Sequence, residues 1–65
     1  MTESEFKRIY NEYGQRLYGF VMWLTHHRAA SDDILQNVFI NIWKCQTIPS
    51  SEIELQRWLF TVARN

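Results

Sequence analysis

The stretch EFKRIYNEYGQRLYGFVMWL, residues 5–24, decides the fold of this chain. Its apolar side chains recur at steps of three and four residues: Phe6, Ile9, Tyr10, Tyr13, Leu17, Phe20, Val21 and Leu24. Steps of this size place side chains on one face of an α-helix, whereas a strand would show alternation. Thr2 and Glu5, three residues apart, form the signature of a capping box at the start of that helix. The sequence therefore predicts a long amphipathic first helix.

Two glycines, Gly14 and Gly19, lie inside this predicted helix. Glycine weakens a helix interior by about 0.5–1 kcal/mol relative to alanine, so each should have a structural reason. We expect either a close approach by a neighbouring helix or a bend.

A second helix is predicted to end near Lys44. Ser31, Asp32 and Asp33 suit the positive end of a helix, although the pattern also allows a start at Arg28. One broad face is apolar: Ile34, Leu35, Val38, Phe39, Ile42 and Cys45. The opposite face is polar, with Asp33, Gln36, Asn37 and Lys44, apart from Ile40 at its centre and Trp43 at its border. A branched apolar residue amid polar ones indicates a docking face with a small hydrophobic anchor.

A third helix is predicted after a loop, because Pro49 disfavours helix at Ile48. Ser51 and Glu54 offer a second capping box, and the helix extends through Asn65. Its buried stripe is predicted to be Leu55, Trp58, Leu59 and Val62, and the residues facing away to be Ile53, Arg57, Phe60 and Arg64. An aromatic between basic residues can stack nucleobases and attract phosphates, although an ordinary solvated surface has the same pattern.

These patterns predict an all-α fold, with three main helices in a compact bundle and residues 1–65 as one domain. The core residues expected to be largely buried are Leu17, Phe20, Leu35, Phe39, Leu59 and Val62. A chain of 65 residues builds only a modest core, which disfavours a self-contained enzyme.

The composition and the absence of certain motifs exclude further classes of function. Seven basic residues balance seven acidic ones, so any grip on nucleic acid must be local and weak. The single cysteine, Cys45, can form no disulfide within the chain, which favours a cytoplasmic protein. His26, His27 and Cys45 lack metal-site spacing, and we find neither a phosphate loop nor a nucleophile triad. We expect no enzyme activity, no cofactor, no metal and no membrane span.

Four stretches together resemble the second conserved region of bacterial extracytoplasmic-function (ECF) sigma factors. They are residues 6–14, residues 16–20 (RLYGF), residues 32–43 (DDILQNVFINIW) and residues 58–65 (WLFTVARN). The most diagnostic are the Asp-x-x-Gln-x-x-Phe-x-x-x-Trp block from Asp33 to Trp43 and the closing Trp-Leu-x-x-Val-Ala-Arg-Asn. The resemblance covers nearly the whole chain.

The resemblance implies that the second helix docks on the clamp helices of the largest catalytic subunit of core RNA polymerase. By position, the docking residues are Asp33, Gln36, Asn37, Ile40, Trp43 and Lys44. Family members often carry an acid where Asn37 stands, so one charged contact is expected to be missing here.

The resemblance also implies recognition of the minus-ten promoter element as non-template single strand. The family captures a flipped base in the loop that precedes the last helix, which assigns residues 47–54 to a base pocket. The DNA-binding residues carried over are Thr47, Ser50, Ser51, Arg57, Phe60, Arg64 and Asn65. Glu52 and Glu54 would repel phosphates there, which argues against a deep pocket.

The family's last helix continues past its Arg-Asn pair, and a helix-turn-helix domain follows. This chain stops at Asn65, so we expect a fragment of a sigma factor, for which an anti-sigma factor is a further expected partner. A competing hypothesis is a helical protein-interaction adaptor that never binds DNA. Both hypotheses share one fold and differ in whether oligonucleotides bind.

Overall fold

A computed structural model describes the whole chain, Met1–Asn65, as three helices with no strand. They are α1 (Glu3–Thr25), α2 (Arg28–Lys44) and α3 (Glu52–Arg64). The predicted all-α class is confirmed, and each helix packs against the other two. Helix α1 runs the length of the molecule, which measures 32 × 21 × 19 Å. No helix is both long enough and apolar enough to cross a membrane.

Helix α1 begins with the predicted capping box. The Glu5 backbone N–H donates to Thr2 Oγ1 at 3.1 Å, and the Thr2 backbone N–H donates to Glu5 Oε1 at 2.8 Å. The Thr2 N–H bond favours the ionised carboxyl, so this N–H, followed by the Thr2 side chain, lowers the pKa of Glu5. The C-cap of the helix is His26, whose N–H donates to the Met22 carbonyl at 2.8 Å and whose left-handed backbone (φ 56°) turns the chain out of the helix.

Helix α2 begins at Arg28, the earlier start that the pattern also allowed, so the start expected at Ser31 is wrong. Its N-cap is His27, whose Nδ1 accepts from the Ala30 N–H at 3.1 Å. Ser31 is completely buried, and its Oγ lies 2.8 Å from the His27 carbonyl oxygen and 2.6 Å from Thr25 Oγ1. The Ser31 hydroxyl therefore fastens the α1–α2 connection from within the helix.

The core is one cluster contributed by all three helices: Ile9, Tyr13, Leu17, Val21, Val38, Phe39, Ile42, Leu55, Leu59 and Ala63. Three of the six residues predicted to be buried are buried: Leu17, Phe39 and Leu59. The other three are only partly buried: Phe20, Leu35 and Val62. In α3, Ala63 takes a core place, while Trp58 is half-buried at its edge.

No neighbouring helix comes so close to Gly14 or Gly19 that only glycine would fit there. A Cβ on Gly14 would lie 3.9 Å from Phe39 Cζ, an ordinary contact, and one on Gly19 would meet nothing within 4 Å. Helix α1 also continues unbroken past both positions. Of the two reasons expected for these glycines, a close approach or a bend, the close approach is thus absent.

A polar cluster that we call the clasp joins α1 to the first turn of α3. Glu52 Oε1 accepts from Arg8 Nη1 at 3.0 Å and from Arg8 Nη2 at 2.7 Å. The Tyr13 hydroxyl donates to Glu52 Oε2 at 2.6 Å. The bond to Glu52, followed by burial, raises the pKa of Tyr13 above its usual value of 10.0. The clasp holds α3 and the preceding loop against α1.

The second predicted capping box is only half present. Ser51 Oγ accepts from the Glu54 N–H at 3.4 Å, but the Glu54 carboxylate makes no return bond to the Ser51 backbone. The first turn of α3 is therefore held mainly by the clasp.

Candidate functional site

The outer face of α2 is open to solvent along its whole length. All six residues predicted to dock on polymerase are exposed: Asp33, Gln36, Asn37, Ile40, Trp43 and Lys44. Ile40 and Trp43 each expose 49% of their surface. No side-chain hydrogen bond or ion pair within the chain occupies any of the polar four. The face can thus contact a partner without breaking internal bonds.

An apolar groove of about 570 Å³ runs beside this face, between α1 and α2. Phe6 and Tyr10 of α1 form one wall, and Phe39, Ile40 and Trp43 of α2 form the other. The Phe6 ring stands edge-on to Trp43, with centroids 5.1 Å apart, and Tyr10 tilts against Phe39 at 5.0 Å. Such a groove suits the apolar side chains of a partner helix.

Sequence reasoning missed the α1 wall of this groove. Phe6 and Tyr10 belong to the apolar stripe of α1, yet Tyr10 exposes 56% of its surface. Lys7 and Lys44 border the groove on either side. The periodicity offered no signal for this, because Val21 lies further from the centre of the stripe than Tyr10 and is buried.

The structure divides the six predicted docking residues into two groups. Ile40, Trp43 and Lys44 line the apolar groove, and Gln36 lines an adjoining concavity of about 490 Å³. Asp33 and Asn37 line none of the surface concavities. The groove thus accounts for the apolar end of the predicted face but not for its two outermost polar residues.

The loop assigned to a base pocket is exposed but contains no preformed cavity. Thr47, Ser50 and Ser51 are open to solvent, and the Ser51 hydroxyl is engaged as the α3 cap. All surface concavities lie along α1 and α2, and none includes a residue of this loop. The loop start is tied down, because the Met1 ammonium donates to the Gln46 carbonyl at 2.7 Å.

Helix α3 carries three of its predicted DNA-binding residues in the open. Arg57, Arg64 and Asn65 are exposed, and neither arginine has a carboxylate within 4 Å. The prediction that Phe60 faces away from the protein is wrong. Its ring is half-buried and stands edge-on to Phe20, with centroids 5.2 Å apart, because α3 turns this residue towards α1.

The charge near the loop also differs from expectation. Glu52 was expected to repel phosphates, but Arg8 neutralises its carboxylate in the clasp. Glu54 remains exposed and unpaired. The repulsion expected at the start of α3 is therefore reduced. No three histidine, cysteine or carboxylate side chains converge on a possible metal position.

The sequence is similar to those of known proteins. The sigma-70 region 2 family model matches residues 9–65. The chain is 27% identical over 63 residues to the ECF RNA polymerase sigma factor SigX of Bacillus subtilis, covering 97% of this chain and 32% of that protein. It is 30% identical over 60 residues to the ECF RNA polymerase sigma factor SigL of Mycobacterium tuberculosis, covering 91% of this chain and 34% of that protein. The chain thus spans about a third of these relatives. No solved structure matches it.

Proposed function

The chain belongs to the sigma-70 region 2 family, and on that premise we propose that it is a transcription initiation domain. It docks on the clamp helices of the largest catalytic subunit of RNA polymerase and binds the minus-ten promoter element as single strand. The domain acts by binding and carries no catalytic residue. An anti-sigma factor is a further partner that such a domain would have.

One observation supports polymerase docking above all: Ile40 is exposed at the centre of a polar face and borders an apolar groove. In a helix-to-helix contact, a buried aliphatic anchor supplies affinity, and surrounding amides and charges supply register. Gln36 lies one turn before Ile40, and Lys44 lies one turn after it. Both are without internal partners.

The promoter-binding role is assigned to the loop and the outer residues of α3. Arg57 and Arg64 supply charge for phosphates, and the Asn65 amide can both donate to and accept from a base edge. Thr47, Ser50 and Ser51 are the loop residues in this assignment. Because the loop has no cavity in the free chain, we propose that capture of a flipped base reshapes it.

Polymerase docking is tested by pull-down of core RNA polymerase with Ile40→Asp and Gln36→Ala. A charge at a central anchor should weaken binding by about 2 kcal/mol or more, roughly thirtyfold. Ile53→Asp is the matched control, since Ile53 is an exposed isoleucine (64%) on α3. Circular dichroism should be unchanged for all three variants. Wild-type recovery of polymerase by both α2 variants would contradict the docking face.

Promoter binding is tested with a fluorescent library of single-stranded oligonucleotides. We expect Asn65→Ala to lose sequence preference, and Arg57→Gln to weaken binding by a similar factor for every sequence. Absence of binding to any oligonucleotide, together with intact polymerase docking, would favour the adaptor hypothesis.

A further inference from the structure

The balanced net charge conceals a segregation of charges along the chain. Residues 13–31 and residues 55–65 contain no aspartate or glutamate. Their charged side chains are all arginines: Arg16, Arg28, Arg57 and Arg64. None of these has a carboxylate partner within 4 Å. Arg16 lies on α1, and Arg57 and Arg64 lie on α3. These two helices pack together through Phe20 and Phe60, so this part of the molecule carries unpaired positive charge.

An aromatic cluster lies on this same side of the molecule. Trp23 exposes 68% of its surface and stacks on Phe20, with centroids 6.3 Å apart and ring planes 24° apart. Phe20 in turn packs edge-on against Phe60 of α3. The Arg16 guanidinium lies 5.7 Å from the Phe60 ring centroid and 5.3 Å from that of Tyr13. Phe20 and Phe60 thus support Trp23 on its protein-facing side, while the indole stays open to solvent.

We propose that Arg16 and Trp23 of α1 extend the single-strand-binding surface of α3. In this arrangement a nucleobase stacks on Trp23, Arg16 contacts a phosphate, and Phe20 supports the indole from behind. Exposed aromatic rings among unpaired arginines are the general means by which proteins bind single-stranded nucleic acid. The inference rests on the proposed function, because the strand reaches α1 from the arginines of α3.

Charge favours nucleic acid over a protein partner at this surface. The apolar groove on the other side of α1 has both signs at its border, since Glu3 and Lys7 form an ion pair there. Around Trp23, the stretch from residue 13 to residue 31 carries no carboxylate, and its charged side chains are Arg16 and Arg28. A partner that supplies a regular row of negative charge and flat aromatic rings complements it best.

The test is fluorescence anisotropy with a labelled oligothymidylate of about twelve nucleotides, which is within the usual range of single-strand site sizes. Protein is titrated to about 1 mM at low salt, because non-specific complexes dissociate at about 10⁻⁴ to 10⁻⁶ M. Trp23→Ala should weaken binding about fivefold or more, the lower end of a lost stacking contact. Arg16→Gln should reduce the slope of log affinity against log salt by about 0.7.

Matched controls come from the other side of α1. Trp43→Ala removes an exposed tryptophan, and Lys7→Gln removes an exposed positive charge, both at the apolar groove. Both controls should bind oligothymidylate within about twofold of wild type, because neither residue touches the proposed path. In nuclear magnetic resonance spectra, the indole N–H signal of Trp23 should shift on titration, and that of Trp43 should stay in place.

The outcomes separate this inference from the proposed function. If Arg57→Gln weakens binding while Trp23→Ala and Arg16→Gln do not, and the Trp23 indole signal is unmoved, the α1 extension is wrong and the α3 role stands. If the wild-type protein binds no oligonucleotide, both the α1 extension and the promoter-binding role of α3 are wrong, whereas polymerase docking is tested separately. If Trp23→Ala abolishes self-association without changing oligonucleotide affinity, the surface binds protein and the inference is overturned.

Discussion

The clasp between α1 and α3 gives the sharpest stability prediction. Glu52 receives two guanidinium N–H groups from Arg8 and the hydroxyl of Tyr13, so one carboxylate joins the helices. Tyr13→Phe removes one of these bonds without changing the packing of the ring. Glu52→Gln keeps the shape of the side chain and removes its charge. The two changes and their combination form a double-mutant cycle.

The expected loss in the free energy of unfolding follows from the burial of the clasp and from its hydrogen-bond distances. A hydrogen bond to a charged group contributes about 1.5–3 kcal/mol, but the side chain of Glu52 is 55% exposed and water can replace the lost donor. We therefore expect Tyr13→Phe to cost about 1–2 kcal/mol, with a coupling to Glu52→Gln of about 1 kcal/mol. Arg8→Gln breaks an exposed ion pair and should lower the free energy of unfolding by only about 0.2–1 kcal/mol. The whole domain is expected to be stable by about 3–10 kcal/mol, so the loss is measurable.

The assay is urea unfolding followed by far-ultraviolet circular dichroism, at neutral pH and in alkaline buffers. Because the folded-state pKa of Tyr13 is raised, its contribution is complete below the ordinary pKa of 10.0 and is lost as the pH rises through the folded value. The stability gap between wild type and Tyr13→Phe should therefore narrow above about pH 10. Equal urea midpoints at neutral pH, or single changes that add within about 0.3 kcal/mol, would refute the clasp.

Two further predictions concern the core and the first helix. Leu59→Ala should lower the free energy of unfolding by about 2–5 kcal/mol, because Leu59 is fully buried among all three helices. A urea midpoint within error of wild type would contradict this. Gly19→Ala should raise the free energy of unfolding by about 0.5–1 kcal/mol, since its Cβ meets open space. Gly14→Ala should raise the free energy of unfolding by at least as much, because its methyl would contact Phe39. A lower free energy of unfolding for Gly19→Ala would disprove the reasoning.

The existence and order of the three helices could be predicted because helical periodicity is a local property of the chain. Capping was predictable only where common N-cap residues occur. Thr2 and Glu5 signalled the start of α1, whereas the N-cap of α2 is His27, an unusual residue at this position. Ser31 looked like a cap but serves a tertiary contact with Thr25. Tertiary bonds of this kind leave no mark in the periodicity.

The candidate site was predictable where a residue lies at the centre of a face. Ile40 is exposed as expected because it sits in the middle of a polar stripe. Phe60 lies on the predicted outward face of α3 and is half-buried, and Tyr10 lies within the apolar stripe of α1 and is exposed, because the rotation of one helix against another decides which residues are covered. The pairing of Phe60 with Phe20 and the open groove beside Tyr10 depend on that rotation. Periodicity alone does not determine it.

Helix α1 has a consequence for how a complex could assemble. The groove near Phe6 opens towards α2, while Trp23 lies with α3, about 25 Å further along the α1 axis. Two macromolecules could occupy these footprints at the same time without colliding. The domain would then serve as a bridge, and loss of one ligand would leave the other in place.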